Sequence, residues 1–410
     1  MLSEETMERL AEVLVDRIEE LNATILQEIG KTIKKIGTLT PSKAYQLEQI
    51  LRYGGSYEKI ARKIAEVTEL NVEQIYEIFE EVAKKNQLFA KKFYDYRGVD
   101  FIPYDENEAL KQKVRGMVRL TAEKYINLSN NSAFAIFENG VKTMTPLSQV
   151  YQKVVDKAIM SISMGLEDYN TTMRKTMREM AKNGIRTVEH ASGYSRRLDS
   201  SVRMNILDGI REMSNEIQTE FGKQFDADGV EITVHLNPAP DHENAQGHQF
   251  SYEEYDKLQK GLEATDYKDR KITLGHDGNN QYRPISTMNC YHGKFDIVLG
   301  VSDPQYSQEQ LNEINKKNKE GFDFEGEHYT MYEGTQLQRR IETKIRQLKD
   351  EHIGLVSLGD EDSMLEAGNI QSKIRVLNKR YKQLSDASGL PTKKQRMTVS
   401  GYKRINTKKY

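Results

Sequence analysis

The first 37 residues carry the feature that most restricts the fold, an apolar stripe with helical spacing. Hydrophobic side chains recur there at steps of three and four, so they share one face of a helix. The stripe consists of Met7, Leu10, Leu14, Ile18, Leu21, Ile25, Ile29, Ile33 and Ile36. Ser3 can cap the start of this helix, and Gly37 can end it. Because most helical stability comes from packing of the apolar face, the helix requires neighbours that cover the stripe.

The composition fits a helix-rich chain that forms more than one domain. Its 410 residues exceed what one ordinary core accommodates. Charged residues make up 30%, hydrophobic residues 37% and prolines only 8 positions, which is typical of helices with long polar faces. The net charge of -2 gives no general attraction to nucleic acid or to a membrane surface. The single cysteine, Cys290, excludes an internal disulfide framework and indicates a reducing compartment.

Local signals predict a helical bundle over residues 1–96. A second helix is expected from Thr40-Pro41, since proline at the first helical position loses no hydrogen bond. Ser56 is expected to cap a third helix, and Asn71 is expected to start a fourth. Helices of this kind bury their apolar stripes only against one another.

A central region of long helices is predicted over residues 97–228, after a break marked by Pro103. Asp105 and Glu108 have the spacing of a capping box at the start of the next helix. The stretch NLSNNSAFAIFENG, residues 127–140, is interpreted as a polar connector. A row of methionines further on either fills a core or forms an adaptable partner surface; its members are Met160, Met164, Met173, Met177 and Met180.

The pattern changes to that of a small α+β domain over residues 229–303. Strands are expected in GVEITVHL, KITLGH and KFDIVLGV, and a turn-rich loop separates the last two. Residues 304–390 return to helix and are predicted to form a helical hairpin with its joint at 359–368. The predicted fold class is therefore mainly α with a small α+β domain: an N-terminal helical bundle, long central helices, a small mixed sheet domain and a C-terminal helical hairpin.

A basic tail, residues 391–410, follows the hairpin and contains no acidic residue. Such a tail can lie against phosphate, or it can be a solvated and poorly ordered terminus. The candidate contacts with nucleic acid or with a protein partner are Lys393, Lys394, Arg396, Lys403, Arg404, Lys408 and Lys409.

Two blocks of the α+β segment contain residues able to bind a metal ion. Zinc takes four Cys, His or carboxylate ligands in a tetrahedral arrangement, and the candidates are His235, His242, Cys290 and His292. Residues 290 and 292 would share a face on a strand. The same residues are also expected in a purely structural cluster, because a lone cysteine is often a small buried hydrophobe and histidines often bond carbonyl groups. No cofactor other than a structural zinc ion is expected.

Hydrolytic chemistry is the other interpretation of these blocks. A thiolate pair of Cys290 with His242 or His292 would serve a nuclease or toxin-like domain. Asp241 is not expected to pair with His242, because neighbours on an extended chain point to opposite faces. The sequence contains no GxSxG elbow, no HExxH and no Walker loop, so no catalytic residue is predicted.

Several blocks in fixed order resemble the phage minor capsid protein 2 family, the minor head proteins of tailed bacteriophages, over most of the chain. The blocks are IARKIAEVTELNVEQIYEIFEEV, MAKNGIRTVEHASGYSRRLDSSVRMNILDGI, VHLNPAPDHENAQGHQFS, NCYHGKFDIVLGVSDPQYS, YTMYEGTQLQRRIETKIRQLK and LSDASGLPTKKQRMTVSGY. The PxH and NCxH blocks are more distantly similar to head morphogenesis proteins of the Mu F type. Where the family pattern reads ARPSHAxWQGK, this chain has Asp241 in the place of serine and Ala245 in the place of tryptophan.

The resemblance implies a non-enzymatic, structural role in the phage head. It implies association with the portal protein, the major capsid protein or both, entry into the head during assembly in the host cytoplasm, and a final location in the virion. Contact with packaged DNA, as a packaging or ejection factor, is the alternative that the basic tail supports. No membrane partner is expected, because no apolar run approaches the about 18 residues that a membrane span requires.

Overall fold

The computed structural model describes residues 4–37, 56–97, 100–138, 141–163, 169–188, 195–224, 226–276, 282–287 and 290–406. Helix accounts for 65% of the structure, and the strands form small antiparallel sheets. The predicted fold class, mainly α with a small α+β domain, is confirmed. The helix predicted from Thr40-Pro41 and the candidate contacts Lys408 and Lys409 lie outside the described residues.

The N-terminal stripe forms the helix that its spacing predicts. Helix α1 spans Glu4–Gly37, and all nine residues of the stripe are buried. Asp16 and Glu20 lie on the exposed side of the helix, whereas the polar residues Glu19 and Asn22 are buried. The period of the apolar positions therefore fixed both the length of this helix and the face that it buries.

Helix α2 is continuous over Ser56–Arg97, where two helices were predicted. The predicted start of a helix at Asn71 is wrong, because Asn71 lies inside α2 and is fully buried. Its side-chain amide donates to the Leu14 carbonyl at 3.3 Å and to the Tyr125 hydroxyl at 3.0 Å. The local sequence makes Asn71 resemble a helix cap, but its hydrogen bonds go to residues far away in the chain.

A break follows α2, as predicted, but the next helix starts differently. A 3-10 turn, Tyr104–Glu106, precedes helix α3, Glu108–Asn130. The Asn107 Oδ1 atom accepts a hydrogen bond at 3.0 Å from the backbone N–H three residues later, as an N-cap does. The predicted capping box of Asp105 and Glu108 is therefore wrong, since Asn107 holds the capping position.

A sheet replaces the polar connector that was predicted between the central helices. Strands β1, Ser132–Glu138, and β2, Val141–Pro146, form an antiparallel hairpin. Strands β3, Arg186–Val188, and β4, Ser195–Arg197, extend it to the order β2-β1-β3-β4. The connector prediction is wrong because the short apolar run at residues 133–136 is buried in the centre of the sheet.

Helices α4, Leu147–Ser163, and α5, Tyr169–Asn183, lie between β2 and β3 along the chain, and α6 spans Leu198–Gln224. Helix α4 begins directly after Thr145-Pro146, at the end of β2. The methionines of α5 are buried, so they fill a core, which was one of the two predictions for the methionine row; they are Met173, Met177 and Met180.

The α+β segment is built on a three-stranded antiparallel sheet in the order β6-β5-β9. These strands are β5, Gly229–Ile232, β6, Gln249–Ser251, and β9, Lys294–Ile297. Helix α7, Tyr252–Gln259, follows β6, and strands β7, Ala264–Thr265, and β8, Lys271–Ile272, form a separate pair. The three predicted strands are present in shortened form. Their apolar core contains Val230, Ile232, Ala245, Phe250, Tyr255, Leu258, Ala264, Ile272, Leu274 and Ile285.

Helix α8, Gln308–Glu320, and a small hairpin follow the α+β segment. Ser307 and Gln310 form a capping box at the start of α8. The hairpin of β10, Phe322–Phe324, and β11, Glu327–Tyr329, was not predicted, because its strands are too short for a clear alternation.

The predicted C-terminal helical hairpin is confirmed. Helix α9 spans Met331–Leu358, and helix α10 spans Glu361–Ser388. Gln338 near the start of α9 donates to Ser385 near the end of α10 at 2.9 Å, so the two helices run antiparallel. The joint was predicted too long: it contains only residues 359 and 360, because the side chain of Asp360 already caps α10.

The basic tail packs against the helical hairpin up to residue 406. Lys394–Met397 form a 3-10 turn, and Met397 is buried. The backbone of Ile405 and the side-chain amide of Gln371 exchange two hydrogen bonds, at 2.8 and 3.2 Å. The interpretation of this tail as a poorly ordered terminus is therefore wrong for the described residues, because apolar residues between the basic ones anchor it.

The chain divides into two compact units, each assembled from three separate segments. Unit 1 comprises Met1–Ala11, Gln74–Glu123 and Met204–Gln336, and unit 2 comprises Glu12–Glu73, Lys124–Arg203 and Leu337–Tyr410. The five consecutive segments proposed from the sequence are a different division of the chain and stay a prediction.

Close helix packing in unit 1 depends on Gly209 of α6. A Cβ atom at this position would lie 2.7 Å from the Thr121 Oγ1 atom of α3 and 2.8 Å from the Phe79 Cζ atom of α2. A side chain at this position would displace Thr121 or Phe79, so glycine permits the close approach of α2, α3 and α6.

Unit 2 buries a network of charged side chains. The Arg197 guanidinium lies 3.1 Å from an Asp350 oxygen and 3.2 Å from an Asp199 oxygen. The Arg346 guanidinium lies 3.2 Å from the other Asp199 oxygen and 3.7 Å from a Glu19 oxygen. All five side chains are 8% exposed or less, so their charges must be balanced locally.

The pKa values of these carboxyl groups differ according to their arginine contacts. Burial and the neighbouring Asp199 raise the pKa of Glu19 to about 9, and burial raises the pKa of Asp350 to about 6. Burial also disfavours the Asp199 carboxylate, but Arg197 and Arg346 hold its pKa below the usual range. With a proton on Glu19, two carboxylates balance two guanidinium groups.

Candidate metal centre

Loops of the α+β segment meet at one end of the β6-β5-β9 sheet. Ile232, the last residue of β5, pairs with Lys294 at the start of β9 and bonds the His248 carbonyl just before β6. The turn between β5 and β6 therefore lies beside the segment that leads into β9. This topology brings His242 next to Cys290, although 48 positions separate them in the sequence.

The turn that carries His242 is compact. The backbone N–H groups of His242 and Glu243 both donate to the Ala239 carbonyl, at 3.0 and 3.1 Å, and Ala245 N–H donates to the His242 carbonyl at 3.1 Å. Gly247 ends the turn with a φ of 72°, which disfavours other residues. These bonds fix the backbone from which the His242 ring reaches into the interior.

His242, Cys290 and His292 converge inside unit 1. The Cys290 Sγ atom lies 3.1 Å from His242 Nδ1 and 3.4 Å from His292 Nδ1. One ligand atom from each residue lies within 4.8 Å of the others. The residues are 0%, 2% and 3% exposed in chain order, so the group is closed to solvent. Three of the four residues predicted as metal ligands are thus brought together.

The hydrogen-bond partner of Nε2 in each imidazole shows which of the two ring nitrogens carries the proton. His242 Nε2 lies 2.7 Å from the Arg283 carbonyl oxygen, which can only accept, so Nε2 carries the proton. His292 Nε2 lies 3.2 Å from Gln246 Oε1. That oxygen also accepts from the His235 backbone at 2.8 Å, while the amide nitrogen donates to a neighbouring side chain, so the amide orientation is fixed. Both rings therefore present an unprotonated Nδ1 to the sulfur.

The sulfur of Cys290 consequently faces two nitrogen lone pairs. A neutral thiol has one proton and donates to one nitrogen at a time. The other nitrogen then faces a sulfur lone pair, which is unfavourable in a buried site. Donor atoms that turn their lone pairs towards a common point, with outer partners that orient the rings, are the arrangement that binds zinc.

Burial favours the neutral form of all three side chains. Burial lowers the pKa of His242, although the Asp241 carboxylate opposes this shift. Burial, together with the neighbouring rings of His235 and His242, lowers the pKa of His292 further. It raises the pKa of the Cys290 thiol. A nucleophilic cysteine requires a lowered pKa and access to substrate. The enclosure of the group counts against the thiolate pair, because a substrate could not reach the sulfur. The raised pKa does not separate the two interpretations, since a metal-bound sulfur is a thiolate as well.

Comparison with known families covers nearly the whole chain. The sequence profile described as phage minor capsid protein 2 matches residues 2–385. The chain belongs to the phage minor capsid protein 2 family. The resemblance noted in the sequence is thereby confirmed, and the chain is a minor capsid protein of a phage. No curated protein and no solved structure matches it.

Asp241 of this minor capsid protein supports the turn. The expectation that Asp241 and His242 point to opposite faces is wrong, because the turn is not extended and Asp241 Oδ2 lies 3.7 Å from His242 Nε2. Both carboxylate oxygens accept from the Arg283 guanidinium, at 2.9 and 2.8 Å. Asp241 therefore positions Arg283, whose carbonyl in turn orients His242.

His235, the fourth predicted ligand, lies at the edge of the group. Its ring packs edge-on against His292, with 4.9 Å between ring centroids, and against Tyr291 at 5.6 Å. It is not among the residues whose ligand atoms lie within 4.8 Å of one another in the described part of the chain. A ligand role for His235 stays a prediction.

The minor capsid protein exposes only part of the charge of its basic tail. Lys394, Lys403 and Arg404 are exposed. The Arg396 guanidinium is only 11% exposed and lies 3.7 Å from a Glu342 carboxylate oxygen, so its charge is paired within the chain. Of the described helices, none combines the length and the hydrophobicity that crossing a membrane demands.

Proposed function

We propose that this chain is a non-enzymatic structural component of the phage head that associates with the portal and enters the head during assembly in the host cytoplasm. The observation that carries the proposal is membership of the minor capsid protein 2 family over residues 2–385. The exposed side of the 42-residue helix α2 is a candidate contact surface for the portal or the major capsid protein.

The closed His/Cys cluster supports a structural role over a nuclease. A general base or nucleophile must come within hydrogen-bond distance of the substrate. The side chains of His242, Cys290 and His292 are at most 3% exposed, and burial raises the pKa of the thiol. Both features oppose turnover and are compatible with a cluster that holds loops together.

Mass spectrometry of purified heads tests the proposal. We expect the chain in immature heads and in virions, at a copy number well below that of the major capsid protein. In heads assembled without the portal protein, we expect it to be depleted. Absence from both kinds of wild-type particle would refute the structural role, whereas equal amounts with and without portal would refute only the portal association.

DNA contact is the second candidate function, and the exposed Lys394, Lys403 and Arg404 of the tail favour it. Each phosphate contact contributes about 0.9 to the slope of log affinity against log salt concentration on duplex DNA. Replacing Lys403 and Arg404 with Gln should therefore reduce that slope by up to about 2.

A charge-matched control separates this tail effect from a change in net charge. Lys316 and Lys317 of α8 are 73% and 69% exposed and lie outside the tail. Replacing both with Gln should leave the slope unchanged if the tail binds DNA. The DNA-contacting role is refuted if both double variants bind like the wild type, or if no salt-dependent binding occurs.

A further inference from the structure

We propose that His242, Cys290 and His292 bind one zinc ion, which joins the turn after β5 to the segment that leads into β9. The ion would be held by one thiolate sulfur and two imidazole Nδ1 atoms. This inference concerns the α+β segment alone and does not depend on association with the portal.

The distances between the three donor atoms are compatible with this assignment. Zinc–sulfur bonds of about 2.3 Å and zinc–nitrogen bonds of about 2.0–2.1 Å in a tetrahedron place sulfur and nitrogen about 3.6 Å apart. The observed separations from the Cys290 sulfur are 3.1 Å to His242 and 3.4 Å to His292. The two sulfur–nitrogen separations are therefore about 0.5 and 0.2 Å shorter than in a tetrahedral zinc site.

The protonation states of the donors supply a reason for an ion to bind. Both imidazoles already present an unprotonated Nδ1, because their Nε2–H groups donate to the Arg283 carbonyl and to Gln246 Oε1 on the far sides of the rings. When zinc binds, the Cys290 thiol releases its proton to solvent and the thiolate becomes a ligand. The two lone pairs that compete for one thiol proton then both point at a cation.

The outer contacts of the cluster show a site supported from several elements. Arg283 is held by Asp241, with two bonds at 2.8–2.9 Å. Gln246 donates to Asn315 of α8 at 2.8 Å. Such outer partners orient the ligands of natural zinc sites and set their affinity. Three protein donors leave the fourth position of a tetrahedral zinc ion to a water molecule or a further ligand. Because the three donors are at most 3% exposed, a substrate has no access to that position, as expected of an ion with a structural role.

Metal analysis of the full-length protein tests the proposal. The protein is stripped with a chelator, reloaded with zinc chloride, desalted and analysed for zinc by mass spectrometry. We expect one zinc ion per chain in the wild type, and at least a ten-fold loss in the variants C290S, H242A and H292A. His328, whose side chain is 58% exposed on β11, provides the control: H328A should retain the full zinc content.

A second measurement keeps the proposal testable even if the variants do not fold. Loading the wild-type chain with cobalt(II) should produce a thiolate-to-cobalt absorption band, since Cys290 is the only cysteine of the chain. A wild-type protein that takes up neither zinc nor cobalt would overturn the proposal. It would also be overturned if C290S and H328A retained equal amounts of zinc.

Discussion

Each of the two units buries a polar cluster, and the clusters are of opposite kinds. In unit 2, the carboxylates of Asp199 and Asp350 face the Arg197 guanidinium at 3.1–3.2 Å, so the chain itself supplies the cation. In unit 1, the donor atoms of His242, Cys290 and His292 face one another.

The difference shows two ways of burying groups that bear lone pairs. A buried acceptor requires a donor or a cation, since its desolvation otherwise costs several kcal/mol. The arginine network of unit 2 takes its cations from the chain itself, and its stability depends on pH. The cluster of unit 1 is completed from solution under our proposal, and its stability depends on the supply of metal.

The largest expected effect is that of Arg197→Met in unit 2. The substitution leaves the buried carboxylates of Asp199 and Asp350 without their shared guanidinium, which should lower the free energy of unfolding by roughly 3–5 kcal/mol. Urea unfolding followed by circular dichroism measures the loss, and zinc content should stay at the wild-type level.

The control for this prediction is Arg178→Met. Arg178 is 47% exposed and lies 3.3 Å from Glu366. Loss of an exposed pair should cost at most about 1 kcal/mol. Equal destabilisation by the two substitutions would mean that burial of the network does not matter.

Removal of zinc from unit 1 should have the next largest effect. At free zinc 100-fold above the dissociation constant, the ion adds about 2.7 kcal/mol to the free energy of unfolding of the region that contains the site. Thermal unfolding with and without chelator measures this difference. The chelator should not change the unfolding of C290S, and a shift of wild-type size in that variant would contradict the comparison.

Gln246→Met should weaken zinc binding without removing a ligand. Gln246 Oε1 lies 3.2 Å from His292 Nε2, and loss of such an outer partner typically reduces metal affinity by about 10–100-fold. A competition titration with a chromogenic chelator measures the affinity. Asn244→Ala is the matched control from the same turn, because Asn244 is exposed and its side chain bonds only the Thr273 carbonyl among the contacts of the described residues. If both variants bound zinc equally well, the outer contact would have no role.

The smallest effect is expected for Glu19→Gln, as a change in pH dependence. Because the pKa of Glu19 is raised to about 9 in the folded chain, the folded state holds a proton that the unfolded state releases above its ordinary pKa near 4.5. Stability contributed by this group therefore falls as pH rises through this window. Between pH 7 and pH 8, the wild type should lose up to about 1.4 kcal/mol through this group, and E19Q should not.

Urea unfolding at the two pH values measures this difference. Glu69→Gln provides the control, since Glu69 is exposed and lies outside the network. If E19Q and the wild type lost equal stability over this pH step, the protonated Glu19 in the network would be refuted.

Local sequence patterns predicted the elements whose formation depends on the periodicity of apolar residues along the chain. The stripe from Met7 to Ile36 predicted α1, because the period of the apolar positions defines a helical face. The same reasoning predicted the C-terminal hairpin, and it gave the core role of the methionines in α5 as one of two alternatives. It failed for β1, where polar residues flank a short apolar run, and for β10 and β11, whose strands contain only three residues each.

The candidate site was predicted in its residue types and only partly in its geometry. Cys290 and the histidines were recognisable as candidate zinc ligands, but their spacing could not distinguish a cluster of three from one of four. Arg283 and Asn315 were missed altogether. Arg283 orients His242 through its backbone carbonyl, a group that every residue has, so no side-chain pattern could have revealed it.

The sequence by itself determined the helical faces, the family and the residue types available for a metal site, because periodicity and ordered motifs are properties of the chain. Only the tertiary structure decided which polar residues are buried and what satisfies them. Asn71 bonds Tyr125 across 54 positions, and Arg197 bonds Asp350 across 153. The physical reason is that desolvation of a polar group is balanced by partners in space, and packing rather than sequence distance selects those partners.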